Sequence, residues 1–348
     1  MTGKRALVLG GGGVTGIAWE TGILHGLAEA GVDLTDADLF VGTSAGSVVA
    51  TELAGGTPLA DLYAHQLLPP DGEIPARLTN WMVVRYVLSY VMPGNAAAKR
   101  ARLGRAALKA RTPSEESRLA VFSSRLSIQD WPERPLKVTA VDTADGKFVA
   151  FDRDSGVPLV RAVASSCAVP LVWPPVTIDG RRYMDGGMRS VANVDLAAGY
   201  SRVVVVAPLT RAASPAATPQ AQAARLGVPS IVVSPSKVAL AAIGRNLWTR
   251  LGGDPRRKRA WRRRRRWPTR FARSGTDHCP IAQRAVLVTV FAGRKRSIPL
   301  VCAVRGAYGR SPLALAGLLT NCWRRSWAAE QQRRWGRPGS CSVSSWRG

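Results

Sequence analysis

Histidine is nearly missing from these 348 residues: there are three, His25, His65 and His278. A hydroxyl or thiol nucleophile usually relies on an imidazole to take its proton, so such chemistry has few bases to draw on here. Cysteine is scarce as well, five in all. None stands at C-x-x-C or comparable metal spacing, and nothing supports an extracellular disulfide framework. Long apolar runs are lacking. The stretch 83–92 is short and broken by Arg85, and 298–319 contains Arg305 and Arg310, so neither suits a membrane span. Lys4 and Arg5 precede only four apolar residues before a run of glycines, too few for the core of a secretion signal. The expected location is the cytoplasm.

Carboxylates are also unevenly absent. Residues 1–249 hold 25 Lys and Arg against 20 Asp and Glu, whereas residues 250–348 hold 24 against 3. Most of the formal charge of +26 therefore lies in the last 99 residues, with arginine runs at 256–259 and 262–266, six of the eleven tryptophans and four of the five cysteines. Helical and strand periodicity are legible up to about residue 246 and then stop. Three readings of 247–348 stand. It is a basic tail that meets nucleic acid or anionic membrane through phosphate contacts and Trp stacking; it is a disordered tail; or the reading frame slips near 246–256 of a GC-rich gene. The simultaneous change of every compositional index favours the last, under which His278 and the arginine runs carry no designed function.

What is present lies in the first 246 residues, where 46% apolar content over the whole chain leaves ample material for a core. Residues 39–41 suit a strand, 48–54 suit a helix, and between them stands Gly42-Thr43-Ser44-Ala45-Gly46. Small residues on both sides of a sharp strand-to-helix turn leave Ser44 projecting at the head of a helix, where free N–H groups favour a developing alkoxide. Residues 6–9 form an apolar strand followed by Gly10, Gly11, Gly12 and Gly13, then Val14, Thr15 and Gly16, with a helix expected over 17–30. A glycine-rich turn bares N–H groups around one point and so makes an anion site. A dinucleotide pyrophosphate would fit, since Gly11-x-Gly13-x-x-Gly16 matches that fingerprint. That fold, however, wants a carboxylate at the end of the second strand, and Asp33, Asp36 and Asp38 come before it. The oxyanion of a tetrahedral acyl intermediate fits better.

Asp185-Gly186-Gly187 ends a hairpin expected over 176–184 around Asp179-Gly180. His25 falls mid-helix and His65 in a proline-flanked region without companion motifs. A direct Ser44–Asp185 dyad is thus the economical arrangement, with the carboxylate accepting and returning the serine proton.

These motifs, in this order, resemble the patatin-like phospholipase family, which includes bacterial patatin-like acyl hydrolases. The family's glycine-rich oxyanion loop stands here as Gly11 to Gly16, its G-x-S-x-G as Gly42 to Gly46, and its D-G-G as Asp185 to Gly187. Ala164-Ser165-Ser166-Cys167-Ala168-Val169-Pro170 is similar too. The resemblance covers about residues 4–246. It implies an α/β, three-layer fold with a mainly parallel central sheet. Within 55–135 the motifs disappear, and the helices expected at 81–91 and 96–109 point to a helical cap over the cleft or, equally, to a plain structural insertion. The resemblance further implies hydrolysis of acyl esters in lipids by Ser44 and Asp185, with Gly11, Gly12 and Gly13 as oxyanion donors and Gly16, Gly42, Gly46, Gly186 and Gly187 supporting the turns. No metal or cofactor is needed. The partner is a lipid or acyl-ester substrate, peripheral membrane contact is an option that the substrate type allows, and nucleic acid is not favoured. Thr15 departs from the family, which commonly carries Arg or Lys there. Ser165 and Ser166 are expected to line a turn near the site, and Cys167 to be a small buried filler. The alternatives are a basic nucleic-acid- or membrane-binding protein acting through its tail, and a nucleotide-binding protein using the glycine loop.

Overall fold

The computed structural model describes residues 3–68, 79–212, 214–243, 286–292 and 297–302. Its centre is strand β1 (Arg5–Leu9), four of whose five residues are buried. Successive side chains leave opposite faces of a strand, and here both faces find a core. Leu7 and Leu9 enter one apolar cluster, and Ala6 and Val8 enter another. Such a strand must lie between two helical layers. On the first face pack α1 (Gly13–Glu29), α2 (Ala45–Ala54), α6 (Glu115–Arg125) and α7 (Leu159–Ser166), through residues such as Trp19, Leu53, Phe122 and Val163. On the second pack the turn 194–197 and α8 (Pro219–Arg225), through Val194, Ala197 and Ala223. The fold is α/β with a mixed, mostly parallel sheet and flanking helices.

The remaining strands are β2 (Leu39–Gly42), β3 (Leu136–Asp142), β4 (Phe148–Phe151), β5 (Val176–Ile178), β6 (Arg181–Asp185), β7 (Arg202–Val206) and β8 (Ser230–Val233). Two more, β9 (Val286–Ala292) and β10 (Ser297–Cys302), follow β8 in the sheet. The order is β10-β9-β8-β7-β1-β2-β3-β6-β5, with β4 paired to β3 off this path. The strands β1, β2, β3, β7 and β8 run parallel, and β4, β5, β6, β9 and β10 pair antiparallel with their neighbours.

Two registers position the site. Leu9 pairs with Gly42, so the glycine loop after β1 and the serine turn after β2 emerge side by side at the carboxyl ends of parallel strands, where α/β folds bind ligands. On β3, Val138 pairs with both Gly42 and Phe151, and Ala140 with both Asp185 and Val149. With β4 filling one side of β3, β2 and β6 must share the other. They meet there end to end, β2 stopping at Gly42 and β6 at Asp185, with Thr139 between.

Most expected elements fall where periodicity put them, and the hairpin turns at Asp179 and Gly180, both at positive φ (48° and 72°), as a two-residue I′-type connection requires. Four differences have physical reasons. Helix α1 starts at Gly13 rather than 17, because its first turn is built from glycine and threonine, whose weak propensity hides it. Helix α2 starts at Ala45, directly after the serine. Within 55–135, α3 (Leu59–Leu67) packs on α1 and Phe122 and Leu126 join the main core, whereas α4 (Asn80–Val91) and α5 (Ala96–Leu108) pack on each other. Finally, β9 and β10 extend the sheet past residue 246, where no regular element was expected; 286–292 is apolar except for Thr289, so period-two alternation does not mark it. His278 and the arginine runs at 256–259 and 262–266 lie outside the described residues.

One feature of the first layer works against the fold. Glu20 on α1 is fully buried, and among the described residues neither carboxylate oxygen has a hydrogen-bond partner at normal distance. Burial holds its pKa well above the ordinary 4.5, offset only in part by the Gly10 backbone. A carboxyl whose folded pKa exceeds its unfolded one is tolerated at low pH and destabilises as pH rises above about 4.5. Glu20→Met, of similar volume and without charge, should therefore raise the urea midpoint at pH 8, with the gain shrinking towards pH 4.

Candidate active site

The serine turn is built under steric and conformational duress. A Cβ at Gly46 would stand 2.2 Å from the Leu9 carbonyl oxygen, and one at Gly42 2.4 Å from Ser47 Cα. Only glycine lets the turn lie against β1. Its N–H groups stitch it there: Thr43 N–H donates to Leu9 (3.1 Å) and Gly46 N–H to Gly10 (3.0 Å). Ser44 itself has φ 53° and ψ −120°, a region that costs a non-glycine residue about 1–3 kcal/mol. Its peptide is clamped on both sides. The N–H donates to Ser166 Oγ (2.9 Å), and the carbonyl accepts from Ser47 N–H (2.8 Å), Ser47 Oγ (2.7 Å) and Cys167 Sγ (3.3 Å).

Those contacts revise the reading of Ser165, Ser166 and Cys167. They do not line a turn; Ser165 and Ser166 close α7, and Cys167 caps it. Ser166 holds the serine backbone. Cys167 is more than filler, since its thiol reaches Ser44, and burial, then the Asp185 charge, pushes its pKa up to about 12.

Asp185 arrives from the opposite direction along β3. It is 2% exposed. Its carboxylate accepts Gly187 N–H at 2.7 Å. Burial raises its pKa to about 7, against the downward pull of the nearby Ser44 side chain and of that hydrogen bond. Gly186 passes so close to β3 that a Cβ would lie 2.2 Å from Thr139 Oγ1.

The glycine loop faces the serine. A side chain at Gly11 would touch Ser44 Cβ (3.5 Å). Its N–H, however, is already spent on the Val191 carbonyl at 2.7 Å, so of the three expected donors Gly11 differs. Among the described residues no acceptor meets the N–H groups of Gly12 and Gly13, which begin α1, or of Ala45, which begins α2. Gly16 N–H closes the first turn of α1 onto the Gly12 carbonyl (2.9 Å), and Thr15 Oγ1 reaches the same carbonyl (3.3 Å).

Asn193 ties these pieces together, and no motif pointed to it. It is fully buried, at φ 51°, a left-handed conformation that Asn tolerates. Its Nδ2 donates to Thr43 Oγ1 (3.0 Å) and the Ser190 carbonyl (2.9 Å), with longer contacts to Thr139 Oγ1 and the Gly186 carbonyl (3.4 Å each). Its Oδ1 accepts from Arg189 (3.0 Å). One amide thus joins the serine turn, β3 and the aspartate turn. Its only warning in the sequence was an amide a few residues beyond Asp-Gly-Gly.

The roof comes from α4. Tyr86 and Tyr90 donate to the carbonyls of Pro170 (3.0 Å) and Met188 (3.1 Å). Burial, then the Asp185 charge, raises the Tyr86 pKa, which sets this face of α4 beside the carboxylate.

The histidines are elsewhere. His25 stacks on Tyr63 (4.3 Å between centroids) and approaches Glu29, and His65 is exposed on α3. Of the acids weighed for a dinucleotide, Asp38 accepts Arg5 N–H (2.6 Å) and Asp36 pairs with the Arg5 guanidinium (3.0 Å), both before β2. Among the described residues no three His, Cys, Asp or Glu side chains cluster as metal ligands do, and no helix is long and apolar enough to cross a membrane.

A family model described as Patatin-like phospholipase matches residues 7–198. An uncharacterized NTE family protein of Mycobacterium bovis, with counterparts in two strains of Mycobacterium tuberculosis, is 30% identical over 185 residues, 53% of this chain. The chain spans 43% of the length of those curated relatives. Among solved structures, VipD from Legionella pneumophila is similar at TM-score 0.32 and 15% identity, covering 59% of this chain and 50% of its own. The type III effector ExoU is similar at TM-score 0.25 and 21% identity, covering 47% and 40%.

Removing the Asn193 amide should leave Thr43 Oγ1 and two buried carbonyls short of a donor and put alanine at positive φ. Asn193→Ala is expected to cost about 2–4 kcal/mol, read as a lower urea midpoint with an unchanged denaturant slope.

Proposed function

Because the chain belongs to the patatin-like phospholipase family, we propose that it is a serine hydrolase of acyl esters in lipids, working by a Ser44–Asp185 dyad. What supports this reading is the convergence on β3 of the serine turn, which ends β2 at Gly42, and the buried Asp185, which ends β6 and whose pKa burial raises to about 7. Ser44 Oγ attacks the ester carbonyl carbon while its proton passes to Asp185. The tetrahedral oxyanion is held by the N–H groups of Gly12 and Gly13, with Ala45 N–H as a third donor. Collapse expels the alcohol, which takes the proton back from Asp185, and leaves Ser44 acylated. Water then repeats the sequence and frees the fatty acid. An ordinary carboxylate is too weak a base for this step; one lifted to about 7 is poised near the working pH. The reaction needs no cofactor, and its setting is lipid catabolism on the cytoplasmic side.

Two outcomes are expected. Turnover of a short-chain chromogenic ester should fall by about a thousandfold or more in Ser44→Ala and nearly as far in Asp185→Asn; equal rates in wild type and Ser44→Ala would end the proposal. In wild type, turnover should rise with pH through about 7 as Asp185 ionises. The same shift makes the ionised carboxylate a burden on the fold, so wild-type stability should decline as pH rises from about 4 through about 7. Asp185→Asn should then be more stable than wild type at pH 8, by several degrees in Tm, with the difference vanishing near pH 4.

A further inference from the structure

Helix α4 is inside out. Its inner face is formed by Met82, Tyr86, Ser89 and Tyr90, and those tyrosines spend their hydroxyls on the loops around the site. The outer face should be polar in a helix that ends at water. Instead it carries Trp81 (55% exposed), Val84 (54%), Val87 (53%) and Val91 (66%), with Val83 and Leu88 beside them. Trp81, Val84, Leu88 and Val91 follow the i, i+3, i+7, i+10 spacing of one continuous stripe, with Val87 alongside. Arg85 is the single charge on the helix, and its guanidinium lies over the Trp81 ring at 5.9 Å.

The charge around this stripe is of one sign. From 79 to 114 the chain holds seven Lys and Arg and no carboxylate. Arg85, Arg105, Lys109 and Arg111 are exposed. Arg102 donates from α5 to the carbonyls of Ser89 (3.2 Å) and Met92 (3.1 Å) at the end of α4, which fixes the two helices as one platform. An apolar stripe with Trp at one end and cations around it matches an interface whose surface is anionic and whose depth is hydrocarbon.

We propose that the outer face of α4, flanked by the basic α5, is the surface by which the protein docks on an anionic lipid bilayer. The inference rests on the lipid-hydrolase reading for its purpose, not for its geometry. Side chains of the inner face touch the site, so docking through the outer face sets the bilayer about one helix diameter, ~10 Å, from Asp185. An ester drawn from the leaflet then has a short path to Ser44. Arg85 stacked against Trp81 keeps its charge at headgroup level while the ring and the valines enter the acyl boundary.

The test is co-sedimentation of the full-length Ser44→Ala chain with vesicles of phosphatidylglycerol and phosphatidylcholine, and with phosphatidylcholine alone. Because this chain is inactive, binding is read without hydrolysis. Binding is expected to favour the anionic vesicles and to weaken at least tenfold when Val84→Glu and Val91→Glu are added, with an unchanged Tm. The milder pair Val84→Ser and Val91→Ser should weaken it about threefold. Equal binding by the glutamate variant would overturn the proposal and assign the affinity elsewhere, the arginine-rich 250–348 first. So would a parent chain that ignores vesicles, or a dimer in sedimentation velocity that the same substitutions dissolve, since a second copy would then be the occupant. Vesicle binding through α4 without ester turnover in wild type would refute the enzymatic reading alone.

Discussion

The site depends on one edge of one strand. Strand β3 offers its edge to β2 over its first half and to β6 over its second, and the two partners run towards each other until they stop at Gly42 and Asp185. Thr139 occupies the gap, contacting Gly42 and Thr43 on one side and crowding Gly186 on the other. A hydroxyl and a carboxylate 141 positions apart in the chain (185 − 44) are brought together by ladder hydrogen bonds, whose register admits no half steps. The precision of the pair is therefore inherited from the sheet.

That precision comes at the expense of stability. Ser44 is held at a strained φ, and Asp185 is buried until its charged form is disfavoured. Each is retained because its surroundings over-determine it. Four hydrogen bonds grip the Ser44 peptide, and Asn193 joins the serine turn, β3 and the aspartate turn through a single amide. Such local violations of good folding practice, supported by satisfied polar contacts around them, are the kind of strain that clusters at active sites. Glu20, buried near Gly10 with only that backbone to offset its burial, adds to the same debit.

The sequence exposed the motifs because glycine is forced where backbones nearly touch. Gly42 and Gly46 lie against Ser47 and Leu9, and Gly186 lies against Thr139, so the residues that make the turns possible also make them visible. Strands β1 and β2 were legible as short apolar runs for the related reason that both their faces are buried. What escaped notice depends on pairing across long separations. Nothing local indicates that Gly11 loses its N–H to Val191, that Ser166 supports Ser44, or that Asn193 is a hub. The α4 stripe was legible as apolar but not as outward-facing, because periodicity gives a helix two sides and does not say which one the protein keeps. The hairpin β9–β10 escaped because its apolar residues do not alternate with polar ones.

The account reduces to a serine made nucleophilic by a carboxylate at the other end of a shared strand edge. Covalent trapping isolates that claim from lipid recognition. After brief exposure to a small fluorophosphonate at pH 8, peptide mass spectrometry should find a single adduct, on Ser44. Asp185→Asn should form it at least a hundredfold more slowly. An adduct on another residue, or equal rates with and without the Asp185 carboxylate, would contradict the dyad.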